Sequence, residues 1–248
     1  LGHRAPGLIA AGLSVINFFS AGAILRESLA AEHRTTRPLL DFGHMAEALG
    51  RKQLRPLMLV WLLAPFAFAG YTVALPLHVG KAFGWGAKEL GWLFVVIGAI
   101  AAVVQGFLFG RIERRTGARA LLIVGLFGMA LSIAAVPYAA SSLLVYAWTV
   151  PLALTNSLFA PAASGLVSIY ADPTEQGTIL GAAQAFAALG RSAGPLAAGW
   201  AYDALGQRSA FLLAGAVMGL GGLASLALER GPPRPPPSPR AASHLPGA

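Results

Sequence analysis

Seven runs of about twenty apolar residues, near 6–25, 57–79, 91–110, 120–138, 142–169, 178–202 and 209–228, constrain this chain more than any motif does. A helix needs roughly 20 apolar residues to cover about 30 Å of hydrocarbon. Runs such as "GWLFVVIGAIAAVVQGFLFG" at 91–110 are continuous rather than alternating, and they are too long for barrel strands. The sequence therefore predicts an all-α integral membrane protein with about seven transmembrane helices. Composition agrees: 56% of the residues are hydrophobic and 11% are charged, against roughly a quarter charged in an ordinary soluble domain. Pro65, Pro76, Pro151 and Pro161 fall inside the second and fifth runs. Membrane bundles tolerate such prolines, often beside a cavity.

The cations sort by side. The loop 26–56, the turn "GRIERRTGAR" at 110–119 and the tail hold thirteen of the eighteen Lys and Arg residues. The opposite connections hold four, Arg4, Lys81, Lys88 and Arg208, and Arg191 lies within a run. This asymmetry places the arginine turn and the C-terminus in the cytoplasm, with the plasma membrane the expected location. A net charge of +8 in short loops beside apolar spans does not describe a nucleic-acid-binding face. Within the 26–56 loop, Phe42, Met45 and Leu49 fall on one face of a short amphipathic helix. "GPPRPPPSPR" predicts a disordered Pro-rich tail over 231–248.

Enzyme signatures are missing. The chain has no cysteine, no G-x-x-x-x-G-K-[ST], no H-E-x-x-H and no G-x-S-x-G, and its five histidines lack metal-ligand spacing. The expected catalytic, metal and cofactor sets are therefore empty. "GLGGLA" at 219–224 sits in an apolar run with no strand before it and is no dinucleotide fingerprint.

Three stretches carry a family resemblance. In "GRIERRTGAR", Gly110 and Gly117 keep a seven-residue spacing, followed by basic Arg119. This is similar to the signature turn of the major facilitator superfamily, with Arg115 at an expected basic position and Arg114 where that signature has an acid. "GRSAGPLAAG" sets Gly190, Gly194, Pro195 and Gly199 in a G-x-x-x-G-P-x-x-x-G pattern. It resembles the glycine–proline motif of drug:proton antiporters of the tetracycline-efflux type. "ILRESL" at 24–29 is like the acidic ending of that family's sixth helix, with Arg26 in place of a proline. The resemblance implies helices six to twelve of a twelve-helix bundle: 1–25 as the last helix of the N-terminal bundle, 26–56 as the cytoplasmic central loop, and 57–230 as the six-helix C-terminal bundle. The odd number of spans and the absence of a methionine at Leu1 fit a chain whose N-terminal half is a missing partner. The implied activity is secondary active transport by alternating access, proton-coupled and exporting a small amphipathic compound. The proton gradient would be its energy source, and Gly110, Arg114, Arg115, Gly117 and Arg119 a cytoplasmic gating turn.

Polar groups within the spans define the candidate cavity. Arg191 is the fourteenth of 25 residues in the run 178–202, near mid-membrane. Charges at that depth usually face a bundle interior or a water-filled path; the plainer reading is an arginine that caps carbonyls freed by Pro195 or reaches a headgroup. Gln184 lies two turns earlier on the same face. Tyr71, Asn156, Gln105 and Asn17 complete the candidate substrate lining, each equally suited to joining helices. His78 is a candidate proton-linked group, weighed against an interfacial histidine bonded to backbone. The ten acids all lie in loops or at span ends. Gly106/Gly110, Gly190/Gly194 and Gly215/Gly219 are small-x-x-x-small pairs suited to close helix packing, and Gly190–Pro195 also suits a hinge. The residues leave two alternatives open: uptake of an anionic metabolite by the same fold, and a truncated membrane protein that transports nothing.

Overall fold

A computed structural model describes residues 5–24, 50–172 and 175–229 of the chain. Helix α1, Ala5–Ile24, belongs to a unit of its own, Leu1–Asp41. The second unit holds α2 (Leu54–Phe83), α3 (Ala87–Val103), α4 (Phe109–Thr116), α5 (Ala118–Ala135), α6 (Ser142–Tyr170), α7 (Gln176–Leu205) and α8 (Gln207–Leu226). No strand occurs among the described residues. The amphipathic helix expected at Phe42–Leu49 and the Pro-rich tail lie outside the described residues.

The seven expected spans are recognisable, and the helices overrun their apolar cores by a few residues. Five are long and apolar enough to cross a membrane: Leu54–Phe83, Ala87–Thr116, Ala118–Tyr138, Ser142–Tyr170 and Gln207–Leu226. At 30 residues, α7 matches the longest of these, but it is the least apolar of the long helices. Gln184 and Arg191 are part of the reason. Pro65 and Pro76 lie within unbroken α2, and Pro151 and Pro161 within unbroken α6. Serine and threonine hydroxyls in the spans bond their own helices: Thr149 to Val145 O, Ser157 to Ala153 O at 2.6 Å, and Ser132 to Gly128 O at 2.8 Å. Hydroxyls satisfied in this way place no unpaired polar group in hydrocarbon.

Chain direction alternates, so the bundle has two ends. One gathers the starts of α2, α5 and α7 with the ends of α4, α6 and α8. The arginine turn lies there, and this end is called the arginine end. The turns 84–86, 139–141 and Gly206 form the opposite end.

Helix α2 packs along α7 and α8, α5 along α6 and α8, and α3 along α6. The core between them includes Leu57, Met58, Leu75, Leu122, Met129 and Phe211, all fully buried. Small residues set the closest approaches. A methyl group on Gly190 would overlap the Leu62 carbonyl oxygen, and one on Gly194 the Phe66 carbonyl oxygen. The α2–α7 seam is thus backbone against backbone, the contact that small-x-x-x-small spacing permits. A methyl on Gly215 would stand 3.0 Å from both Ala130 O and Ala134 Cβ of α5. The third expected pair is different: Gly106 and Gly110 meet nothing within 4 Å among the described residues. Among the described residues this pair packs no helix seam. Those glycines lie at a departure from regular helix, because Val104–Leu108 form a π-turn. Extra backbone in one turn re-aims the side chains that follow it.

Candidate functional site

Helix α7 presents three faces. Ala183, Ala187, Gly190, Gly194 and Ala198 are buried against α2 and its neighbours. Leu189, Leu196 and Trp200 form an exposed apolar face suited to lipid. Between them runs a third strip with Gln184, Ala188 and Arg191 exposed and Pro195 half-buried. The spacings of four, three and four residues keep these four within one narrow strip of the helix. Arg191 therefore sits mid-helix, exposed, on a strip of small and polar side chains. No carboxylate pairs with it among the described residues, and none of their hydrogen bonds runs from its guanidinium to the carbonyls near Pro195. Gln184 and Arg191 lie exposed on one strip of α7, two turns apart.

The other sequence-selected residues do not share that strip. Tyr71 is 1% exposed; its ring packs against Phe68 and, edge-on, against Phe211 of α8. His78 is 6% exposed, stacked edge-on against Phe211, with its Nδ1 bonded to the Gln207 side chain. Both belong to the α2–α8 contact, because that side of α2 is the one α8 covers. Thr72, half-buried, donates to Ala69 O of its own helix at 2.8 Å. The histidine's expected backbone partner is replaced by a side chain from the α7–α8 turn. Gln105 is exposed within the π-turn, and its helix packs on α6 rather than α7. Asn156 is half-buried on α6, and Asn17 is exposed on α1 in its separate unit.

The arginine turn is built by Gly117, whose φ of 80° and ψ of 152° lie where only glycine sits without strain. It reverses the chain in one residue between α4 and α5. Arg114 Nε donates to Gly110 O at 3.0 Å, and Arg111 donates to Phe107 O at 2.6 Å. Arg114 folds back on its own helix, a favourable placement for a cation in the last helical turn, while Arg111 reaches back to the π-turn. Arg119 reaches further, donating to Leu226 O of α8 at 2.8 Å. Arg115 is exposed.

Sequence reasoning missed the rest of the arginine end. Arg51 makes a two-pronged ion pair with Glu175, at 2.6 and 3.2 Å, tying the start of α2 to the start of α7. Tyr170 donates its hydroxyl to Glu229 O, Gln53 Oε1 accepts from Glu229 N at 3.4 Å, and Lys52 stands 3.8 Å from the Glu229 carboxylate. Pairings across 59 to 176 residues leave no spacing signal. Also missed was a pocket at the opposite end, beside His78, Gln207 and Arg208; Arg208 had counted only as a loop charge.

Residues 57–247 match the model of the Major Facilitator Superfamily. The chain is similar to major facilitator superfamily domain-containing protein 10 of Bos taurus, 28% identical over 219 residues that make up 86% of this chain and 45% of that protein. It is 26% identical to multidrug resistance protein 2 of Bacillus subtilis, over 89% of this chain and 56% of that one. It is 27% identical to the class C tetracycline resistance protein of Escherichia coli, over 78% and 49%. The chain thus spans about half the length of the curated relatives it matches. Its fold is that of the human organic anion transporter MFSD10 (TETRAN), with a TM-score of 0.71 over 82% of this chain and 52% of that one at 23% identity. Helix bundle, glycine seam and family match agree, and the chain belongs to the major facilitator superfamily.

Proposed function

We propose that the protein containing this chain is a secondary transporter, and that the α7 strip of Gln184 and Arg191 lines its substrate path. One observation carries the reading. Arg191 sits at the middle of a 30-residue helix, exposed and without a carboxylate partner among the described residues. A bare guanidinium facing hydrocarbon is expensive, whereas one facing a water-filled path is stable and ready to meet a ligand. Alternating access uses a site near the midplane of this kind. The drug-resistance names of two relatives support export of an amphipathic compound, driven by a proton gradient. No acid lies in the middle of a described span, so a carboxylate proton carrier would come from a part of the protein beyond these helices. On this reading the arginine end is cytoplasmic, and the turn Gly110–Arg119 takes part in gating there.

A second reading is that the substrate is an anion. Arg191 favours it, because a lone mid-membrane cation is complementary to a carboxylate or sulfonate, and one neighbour in fold is titled an organic anion transporter. Proteoliposomes separate the two. Under an imposed pH gradient, tetracycline uptake is compared with fluorescein uptake, in the native protein and in Arg191→Gln. Export of amphipathic compounds predicts tetracycline accumulation that collapses with the gradient. The anion reading predicts fluorescein accumulation lost in Arg191→Gln. If neither probe exceeds empty liposomes, the transport reading fails for these two substrate classes.

A further inference from the structure

We propose that Asn156 of α6 is a second polar contact of the substrate path, set at the depth of Arg191 on another helix. It selects substrates that carry an uncharged hydrogen-bonding group at the end away from their anionic group. The proposal rests on the reading of Arg191 as the contact for an anionic substrate, and adds a determinant of specificity to it.

Two contacts fix the depth of both residues against α2. A methyl group on Gly190 would overlap Leu62 O and stand 2.9 Å from Phe66 N. Arg191, the next residue, therefore lies beside the Leu62–Phe66 turn of α2. The rings of Trp61 and Phe159 meet edge-on, 5.5 Å between centroids. Because α6 runs opposite to α2, Asn156 lies about 4.5 Å further from the arginine end than Phe159. That is again the level of the Leu62–Phe66 turn, so the two polar side chains share one depth to within about a helical turn.

The sides of α6 are assigned by what each one touches. Leu143, Val150 and Leu154 are exposed on the side suited to lipid. Asn156 is about 200° round the helix from Leu154 and so faces away from that side. Thr155 and Leu158 meet Gly125 and Gly128 of α5. Tyr146 donates to Glu89 O of α3 at 3.4 Å. Asn156 lies between the sides held by α5 and α3, turned inward toward α2. There α2 offers Leu59, Phe66 and Val73, spaced by seven on one face, with Phe66 half-buried and the other two exposed. This apolar face suits the body of an amphipathic substrate whose polar ends meet the two flanking helices.

Asn156 is also uncommitted. Thr149, Thr155 and Ser157 of the same helix each donate to a carbonyl of their own helix. The Asn156 amide has two donors and an acceptor, is half-buried, and makes no hydrogen bond among the described residues. Leaving such a group unmatched away from water is costly, and a ligand group that donates or accepts relieves it. A neutral amide adds no charge to the path, so its effect is to discriminate between substrates and not to attract anions.

The test uses the whole protein in proteoliposomes taking up fluorescein, with phenylbutyrate and its para-hydroxy analogue as competitors. The hydroxylated analogue is expected to compete at least about threefold better, as one added hydrogen bond allows. Asn156→Leu, close in volume, should remove that preference and leave competition by phenylbutyrate unchanged. Asn156→Ser should keep part of the preference, and Arg191→Gln should weaken both competitors alike. Thermal midpoints show which variants fold, and the serine variant decides if the leucine variant does not. Fluorescein uptake with no preference in the native protein, with a preference that survives both Asn156 substitutions, or with equal loss of both competitors in Asn156→Leu overturns the proposal and leaves the transport reading standing. If fluorescein is not taken up, the transport reading fails, and the same pair is titrated by tryptophan quenching in detergent. A preference for the hydroxylated analogue that Asn156→Leu removes then upholds the contact, and its absence overturns it.

Discussion

Gly194 of α7 rests on the carbonyl of Phe66 in α2: a methyl group on its α-carbon would overlap that oxygen and lie 2.9 Å from the carbonyl carbon. Neighbouring backbone cannot step aside as the end of a flexible side chain can. Gly194→Ala and Gly190→Ala are therefore expected to destabilise the bundle by about 1–3 kcal/mol each, the range for overpacking a tight core. Gly199→Ala is the control, since nothing lies within 4 Å of its position. Thermal unfolding in detergent should separate the first two from the third. Equal midpoints for all three would show that the helices do not meet here.

Gly117 and Gly110 both belong to the arginine turn but differ in what they need. Gly117 has φ of 80° and ψ of 152°, whereas Gly110 is helical with open space around it. Gly117→Ala should cost about 1–3 kcal/mol through backbone strain. Gly110→Ala should be neutral or slightly stabilising, since alanine suits a helix better than glycine by about 1 kcal/mol. Midpoints of the two variants, measured side by side, check the difference in sign.

These contrasts mark what a linear reading of the chain can hold. Span positions were legible because apolar runs of membrane length have few other uses. The Gln184–Arg191 face was legible because helical geometry converts a spacing of seven directly into a shared face. Whether Gly106/Gly110 or Gly190/Gly194 packs tightly was not legible, since both have the same spacing and only the neighbouring helix distinguishes them. Polarity and spacing offer Tyr71 to the cavity and His78 as a proton-linked group. Which side of α2 faces Phe211 is decided by how α8 packs, and a single helix carries no record of it. Arg208 escaped notice because its partners, Tyr138 and the pocket walls, come from separate turns.

The Arg51–Glu175 pair tests how firmly the arginine end is tied. The side chains are 33% and 40% exposed, so solvent screening limits the pair's worth to about 0.5–1 kcal/mol despite its two-pronged geometry. A double-mutant cycle with Arg51→Ala and Glu175→Ala, read by thermal unfolding, should give a coupling of that size. The coupling should shrink as sodium chloride is raised from low to molar concentration. A coupling several times larger and indifferent to salt would mean that water is excluded from the pair.

Arg191 separates a role in ligand binding from one in folding. Its side chain is exposed and makes no ion pair among the described residues. Arg191→Gln should therefore leave the thermal midpoint nearly unchanged, within about 0.5 kcal/mol, as surface substitutions do. If the guanidinium meets an anionic substrate group, the same variant should lower fluorescein uptake at least tenfold. Arg191→Lys should recover part of it, because an ammonium keeps the charge but loses the planar fork that grips a carboxylate at two points. A fall in midpoint as large as that of Gly194→Ala would instead assign Arg191 to the packing of the bundle. Full uptake by Arg191→Gln would remove it from the substrate path.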